Sequence, residues 1–267
     1  MNDSMDHCQD PSETTPAETP NKAPEQLAPG IGVLVGFRVF GLARFLSHAE
    51  LMRVFQRACV RADLALEYSH GYNPRPRLSL PLPKPVGVES EGDLLCLRLK
   101  GSSGPEEAGT AELTRRLSDH LPEGLEILSV RIVPRKASYQ AEAADYRFVL
   151  KETPASDELM RVKTQTLLAC ESLVVDRRDG DEGTASRRVD VRPFLESIEV
   201  ADHEIKVHCR IFQTGSVRVG EILELLELTK EQLAGPIRRT AIQWRQTSSL
   251  SNECDSDRPP IGGWKGP

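Results

Sequence analysis

No stretch of this 267-residue chain approaches the roughly 20 consecutive apolar residues that a membrane-spanning helix needs. Nor does its N-terminus carry a basic segment followed by an apolar one, so no signal peptide is expected and a cytoplasmic location follows. Aromatic residues make up only 5% of the chain and hydrophobic residues 39%, with a mean hydropathy of -0.38. The six cysteines (Cys8, Cys59, Cys96, Cys170, Cys209, Cys254) include no C-x-x-C and no C-x-x-x-C-x-x-C. That excludes a zinc or iron–sulfur site built from sequence neighbours, and the thiols are expected to be reduced and largely buried. No metal or other cofactor is expected in this chain. The nucleotide-cradling loops G-x-x-x-x-G-K-[ST] and G-x-G-x-x-G are missing, as is the nucleophile elbow G-x-S-x-G.

Charge is unevenly spread. The whole chain carries a net -6. Residues 1–30 hold a local net of -5, and residues 36–90 a local net of +4. The overall sign argues against indiscriminate nucleic-acid binding, while the local excess leaves room for an anionic partner. Residues 1–30 and 247–267 have few bulky apolar side chains. They cannot offset their ordering entropy and are expected to be disordered. Trp264 stands alone in the second tail, a possible docking anchor.

Between the tails, periodicity alternates between strand and helix. Val33, Val35, Phe37 and Val39 mark a strand. Ser47 and Glu50 fit a capping box, and Leu51, Val54, Phe55, Ala58, Cys59 and Ala62 then recur at helical spacing. Strands are expected at Leu64–Ser69, Leu78–Leu82 and Asp93–Lys100, a helix over 106–120 and a strand over Leu125–Pro134. The order β-α-β-β-α-β then recurs: a strand at Asp145–Lys151, a helix from Ser156, strands at Leu173–Arg178 and Glu204–Phe212, a helix over 218–233 and a strand at Ile237–Arg245. An acidic loop, Asp179–Gly183, follows the second of these strands. The expected fold is α+β, two tandem ferredoxin-like halves spanning 31–137 and 138–246.

The segment 44–90 concentrates chemistry. Arg53, Arg57 and Arg61 lie at i, i+4, i+8, a basic ridge opposite the apolar stripe. Such a ridge is either a solvated helix face or a phosphate-contacting one, since the guanidinium fork suits phosphate oxygens. Ser47 and His48 open the helix, where exposed N–H groups favour an anion. The loop Tyr68-Ser-His-Gly-Tyr-Asn-Pro-Arg-Pro-Arg77 supplies Tyr68, His70, Gly71, Tyr72, Asn73, Arg75 and Arg77. Gly71 permits positive φ, and Pro74 and Pro76 restrict their neighbours, so the loop is stiff. Tyrosines could stack on bases while the arginines contact phosphates. If the two histidines share one end of the sheet, His48 and His70 could act as acid and base of a metal-independent endoribonuclease. A second basic patch is expected from Arg187, Arg188 and Arg192 and from Lys206, His208 and Arg210, the last three alternating on one strand face.

The runs at 44–58, 68–80 and 85–93, with Asp-Val-Arg-Pro-Phe-Leu (190–195), Gly-Ser-Val-Arg (215–218) and Ile-Arg-Arg-Thr-Ala (237–241), closely resemble the radical-SAM-linked protein family. The resemblance covers about residues 32–245. Where that family commonly has His and Asp, this chain has Arg75 and Ala49. The resemblance implies a bacterial accessory domain that partners a radical SAM protein encoded beside it or fused to it. The chain lacks the cluster-binding cysteines of such an enzyme. The expectation is therefore a non-catalytic binding protein that presents RNA or another phosphorylated substrate, with the endoribonuclease and a purely structural partner-docking scaffold as alternatives.

Overall fold

The computed structural model describes residues 30–101, 107–151, 156–178 and 186–247. Of the expected disordered tails, residues 1–29 and 248–267, with Cys8, Cys254 and Trp264, lie outside the described residues, as does the loop Asp179–Gly183, while Thr247 ends the last strand.

The fold is α+β, with four α-helices among the described residues and one large mixed sheet. In the N-terminal half the strands are β1 (Ile31–Val39), β2 (Leu78–Ser79), β3 (Glu89–Leu99) and β4 (Leu125–Val133), with helices α1 (His48–Arg61) and α2 (Glu107–Ser118). In the C-terminal half β5 (Ser138–Val149) and α3 (Ser156–Ala169) are followed by a separate two-stranded hairpin, β6 (Val174–Arg178) and β7 (Ser186–Asp190). The chain then returns to the sheet with β8 (Leu195–Ala201), β9 (Glu204–Arg210), α4 (Val219–Leu226) and β10 (Arg238–Thr247). The sheet order is β4-β1-β3-β10-β5-β9-β8, with β2 on the edge of β3. Neighbours are antiparallel within each half. The halves meet where β10 runs parallel to β3, pairing Arg238 with Glu89 and Arg239 with Ser90.

Local sequence explains the elements. Val33, Val35, Phe37 and Val39 form the apolar face of β1 that packs against α1 and α2, while Leu34 on the other face is equally buried. α1 starts on a full capping box: Glu50 N donates to Ser47 Oγ (3.3 Å) and Ser47 N donates to Glu50 Oε2 (2.9 Å). Its stripe buries Leu51, Phe55, Ala58 and Cys59, and Phe55 meets Phe37 edge-on with ring centroids 4.7 Å apart. The buried hydrophobic residues form two clusters, one in each half of the chain, except that Val88 of the first half packs into the second cluster. Cys59, Cys96, Cys170 and Cys209 are free thiols; burial pushes Cys59 and Cys209 up to about 12 and Cys96 to about 11.

Three expectations need correction. The strand that fills the second place of the C-terminal plan is β8, whereas Leu173–Arg178 belongs to the off-sheet hairpin. β8 interleaves Glu196, Ser197 and Glu199 with Leu195, Ile198 and Val200, the half-polar pattern of an edge strand, and so reads weakly. Leu64–Ser69 is no continuous strand; it touches β3 through a single bridge, Leu66 to Leu99. The last helix stops at Leu226 because Glu227 turns left-handed at φ 52°, and a 3₁₀ turn, Lys230–Gln232, follows.

The halves are riveted by a buried ion pair. Arg239 Nη2 donates to Asp93 Oδ1 at 2.5 Å, with Arg239 only 1% and Asp93 3% exposed. Ser90 donates its hydroxyl to the other Asp93 oxygen, and Arg239 Nη1 donates to Pro83 O (3.3 Å). Trp244 Nε1 reinforces the joint by donating to Gly92 O (3.0 Å). Arg239→Met would leave a buried carboxylate without its counter-charge and should cost about 3–5 kcal/mol in urea unfolding. The double variant Arg239→Met/Asp93→Leu should recover most of that, because apolar replacement of a whole buried pair is often near neutral. A single variant within about 0.5 kcal/mol of wild type, the range of bland surface changes, would refute the rivet.

Candidate nucleic-acid interface

The edge strand beside β3 is interrupted. Glu67 N donates to Arg98 O (2.8 Å), and on the return Arg98 N donates to Arg77 O (3.0 Å). Between these two points the chain leaves the sheet as a hairpin, closed by Arg77 N to Glu67 O (2.7 Å) and by Ser69 N to Arg75 O (2.8 Å). Ser69 Oγ accepts from Arg75 N (2.9 Å), Tyr68 bridges Pro76, and Gly71 takes φ +133° with open space around it. The tip carries Tyr68, His70, Tyr72, Asn73 and Arg75, all exposed, and Tyr72 fully so. The prolines and cross-bonds stiffen the turn, which lowers the entropy cost of any contact it makes.

The hairpin root is cationic. Glu67 is nearly buried and is held in a two-pronged pair by Arg135, Nε to Oε1 at 2.7 Å and Nη2 to Oε2 at 2.9 Å. Arg135 first, then Arg77 and Arg98, hold its carboxyl below the usual range. Lys100 Nζ lies 5.9 Å from the Tyr68 ring centroid. Arg77, Arg98 and Arg135 thus gather around one carboxylate, with Lys100 beside the Tyr68 ring. Gly30 is required beside the carboxylate, since a Cβ there would fall 2.0 Å from Glu67 Oε1. Sequence reasoning missed Arg98, Lys100 and Arg135. The alternation in β3 does put Arg98 and Lys100 opposite Leu95, Leu97 and Leu99, but only strand pairing brings them to the hairpin.

The segment 44–90 does not fold into one recess. Phe55 lies against Phe37, which pairs with Asp93, whereas the hairpin leaves the edge at Arg98. His48 begins α1 seven residues before Phe55, toward the Ser90 end. Helix rise and strand rise together set His48 and the root of the His70 loop about 25 Å apart along the sheet. The two histidines therefore do not share an end, and the acid–base pair expected of them is not assembled; proton transfer needs contact distances near 3 Å. Ser47 is engaged in the cap, His48 is half-buried and its Nδ1 has no partner, and Arg53, Arg57 and Arg61 are exposed along α1. Of that ridge, Arg61 is nearest the hairpin end and Arg53 furthest from it.

The second basic patch is also corrected. Arg210 is bound in a two-pronged pair by Glu196 (2.6 and 3.0 Å), and His208 Nδ1 contacts Asp145. Lys206 pairs in register with Glu199, so this face is a mixed-charge lattice and not a positive patch. Arg192 donates to the carbonyls of Leu168 (2.7 Å), Cys170 (3.1 Å) and Leu195 (2.7 Å), closing the end of α3. Arg187 and Arg188 are exposed on β7, in a different sheet from Lys206, His208 and Arg210 of β9. Among the described residues no group of three or more His, Cys, Asp or Glu could hold a metal ion, and no helix is long and apolar enough to cross a membrane.

These features define an α+β protein with one large mixed sheet and a projecting, cation-rooted hairpin. Over residues 33–223 the chain matches the bacterial family described as "Uncharacterized protein conserved in bacteria (DUF2344)", and it belongs to that family. No curated protein matches it.

At the opposite end of β3, Lys84 is buried and donates to three carbonyls: Arg44 O (2.6 Å), Pro85 O (3.0 Å) and Val88 O (3.1 Å). Burial pushes its ammonium down to about 8, with Asp93 pulling upward and Arg239 downward. Above that pH the folded lysine sheds its proton while the unfolded one keeps it to the ordinary value of 10.5, so the unfolded state binds more protons. Stability contributed by Lys84 should therefore rise between those values. In denaturation at pH 7 and pH 10, wild type should gain on Lys84→Met; a shrinking gap would contradict this environment for the amine.

Proposed function

We propose that this chain is a non-catalytic binding protein, an accessory to a radical SAM partner, that holds RNA or another phosphorylated substrate at the hairpin end of its N-terminal half. We also read residues 31–137 and 138–246 as two ferredoxin-like halves. The strand orders β4-β1-β3-β2 and β10-β5-β9-β8 support that reading, since each runs fourth, first, third, second with antiparallel neighbours. The partnership rests on the motif resemblance at 44–58, 68–80 and 85–93.

The observation that carries the binding role is the gathering of Arg77, Arg98 and Arg135 around a single carboxylate, with Lys100 against Tyr68, at the root of a tip with exposed Tyr68 and Tyr72. Bases have faces that stack on aromatic rings, and phosphates follow the cations. His70 and Asn73 add hydrogen-bonding groups at the tip.

The test is salt-dependent RNA binding by the full chain. Arg75→Ala/Arg77→Ala/Lys100→Ala should reduce the slope of log affinity against log salt by about 2–3 if each base meets a phosphate. Tyr68→Ala/Tyr72→Ala should weaken binding by about 1–3 kcal/mol per stacked base at any salt. Arg188→Ala/Arg210→Ala should change neither. Equal binding by wild type and the triple variant overturns the reading. Co-purification with a radical SAM protein that survives high salt, needs residues 68–76 and involves no RNA points instead to a docking scaffold.

A further inference from the structure

A second, independent site lies between the halves, at the end of the sheet away from the hairpin. A cavity of ≈ 870 Å³ opens there, walled by the 82–88 segment on one side and by the residues around α4 and the start of β10 on the other. That volume is in the range of small-molecule sites. Its walls are largely apolar, with Leu82, Val88, Val217, Leu223, Leu233 and Ile237 among them. The charged residues that line it are all basic: Arg44, Lys84, Arg218, Lys230 and Arg239.

Of the acids near this lining, Asp93 offsets Arg239 itself, Glu231 lies within electrostatic reach of Lys230, and Glu221 is tied to Arg177. Glu221, in the first turn of α4, is bound through both oxygens by Arg177 (2.6 and 2.8 Å) and accepts from Arg218 N (2.7 Å). Arg177 also donates to Ser216 O (2.6 Å), which fixes the loop leading into α4. Asp93 is spent on Arg239 and Ser90. Yet Arg239, almost wholly buried, keeps an Nε donor without an acceptor. Arg44 donates to Gly41 O (2.6 Å) and lies 4.4 Å from the Phe45 ring centroid, meeting no carboxylate there. Arg218 and Lys230 are exposed at the rim. Val219 and Gly220, whose amides open α4 and have no acceptor within the helix, line the same cavity.

We propose that this cavity binds an amphipathic anion: a molecule with a phosphate or carboxylate head and a hydrocarbon or ring body. The head meets the α4 amides with Arg218 and Lys230, because an anion there gains both the helix terminus and the two rim cations. The body replaces water on the apolar walls. A polynucleotide fits poorly, since the walls have few side chains able to hydrogen-bond a base and the one lining tyrosine, Tyr146, is buried. The proposal does not depend on the RNA reading, and the hairpin variants above should leave it unchanged.

The test uses the full chain and the fluorescence of 8-anilinonaphthalene-1-sulfonate, an anionic apolar probe, with dodecyl phosphate, laurate, dodecanol and inorganic phosphate as competitors. Dodecyl phosphate or laurate should displace the probe at least tenfold better than dodecanol or inorganic phosphate. Whichever of the two displaces identifies the head; both displacing means the site reads charge alone. Gly235 lines the cavity with open space where a side chain would start, so Gly235→Phe should fill it and weaken the probe at least tenfold with the unfolding midpoint kept. Arg218→Gln/Lys230→Gln, at exposed positions, should weaken the anionic competitors about tenfold and leave dodecanol unaffected, which keeps the test valid if Gly235→Phe fails to fold. Dodecanol matching the anions, no change in the glutamine double variant, or undiminished probe binding by folded Gly235→Phe would each overturn the proposal.

Discussion

The architecture turns on one buried contact, the guanidinium of Arg239 on the carboxylate of Asp93. A charge pair this far from water is held only if each partner's remaining lone pairs and protons find acceptors and donors. Ser90, Pro83 and the pairing of β10 with β3 supply most of them. The pair also sets where the sheet changes direction. Elsewhere the neighbouring strands are antiparallel, and the one parallel step is the short run at Glu89 and Ser90 that carries Arg239 to Asp93. A parallel step this short cannot knit two halves closely, so a gap remains beside it, and that gap is the cavity.

Much of this was legible in the chain. The capping box at Ser47, the alternation of β1 and β9 and the helical stripe of α1 follow from local chemistry, and each sits where its spacing put it. What failed was of another kind. β8 is an edge strand whose polar half reads as a loop. Arg192, His208 and Arg210 looked like free groups because their partners, carbonyls at the end of α3 and the carboxylates of Glu196 and Asp145, are brought to them by the fold. The gathering of Arg98, Lys100 and Arg135 at the hairpin was hidden for the same reason. Periodicity says which face a side chain takes, but strand order decides what it meets there.

The separation of His48 from His70 follows the same logic. Both belong to one dense stretch of sequence, and proximity along the chain suggested a shared site. α1 runs back along the sheet between them, so the helix turns neighbours in sequence into occupants of opposite ends. The outcome is a molecule with cations concentrated at both ends of β3, despite its net -6.

The hairpin has a further effect on the sheet that bears it. By leaving the edge at Glu67 and rejoining at Arg77, it reduces the outer strand to the two residues Leu78–Ser79 and one isolated bridge. A long, flat border would offer a row of open amides and carbonyls to any stray extended peptide. Here that border is broken by a stiff, charged projection, so the same excursion that displays the tyrosines also denies neighbouring molecules a template along this side of β3.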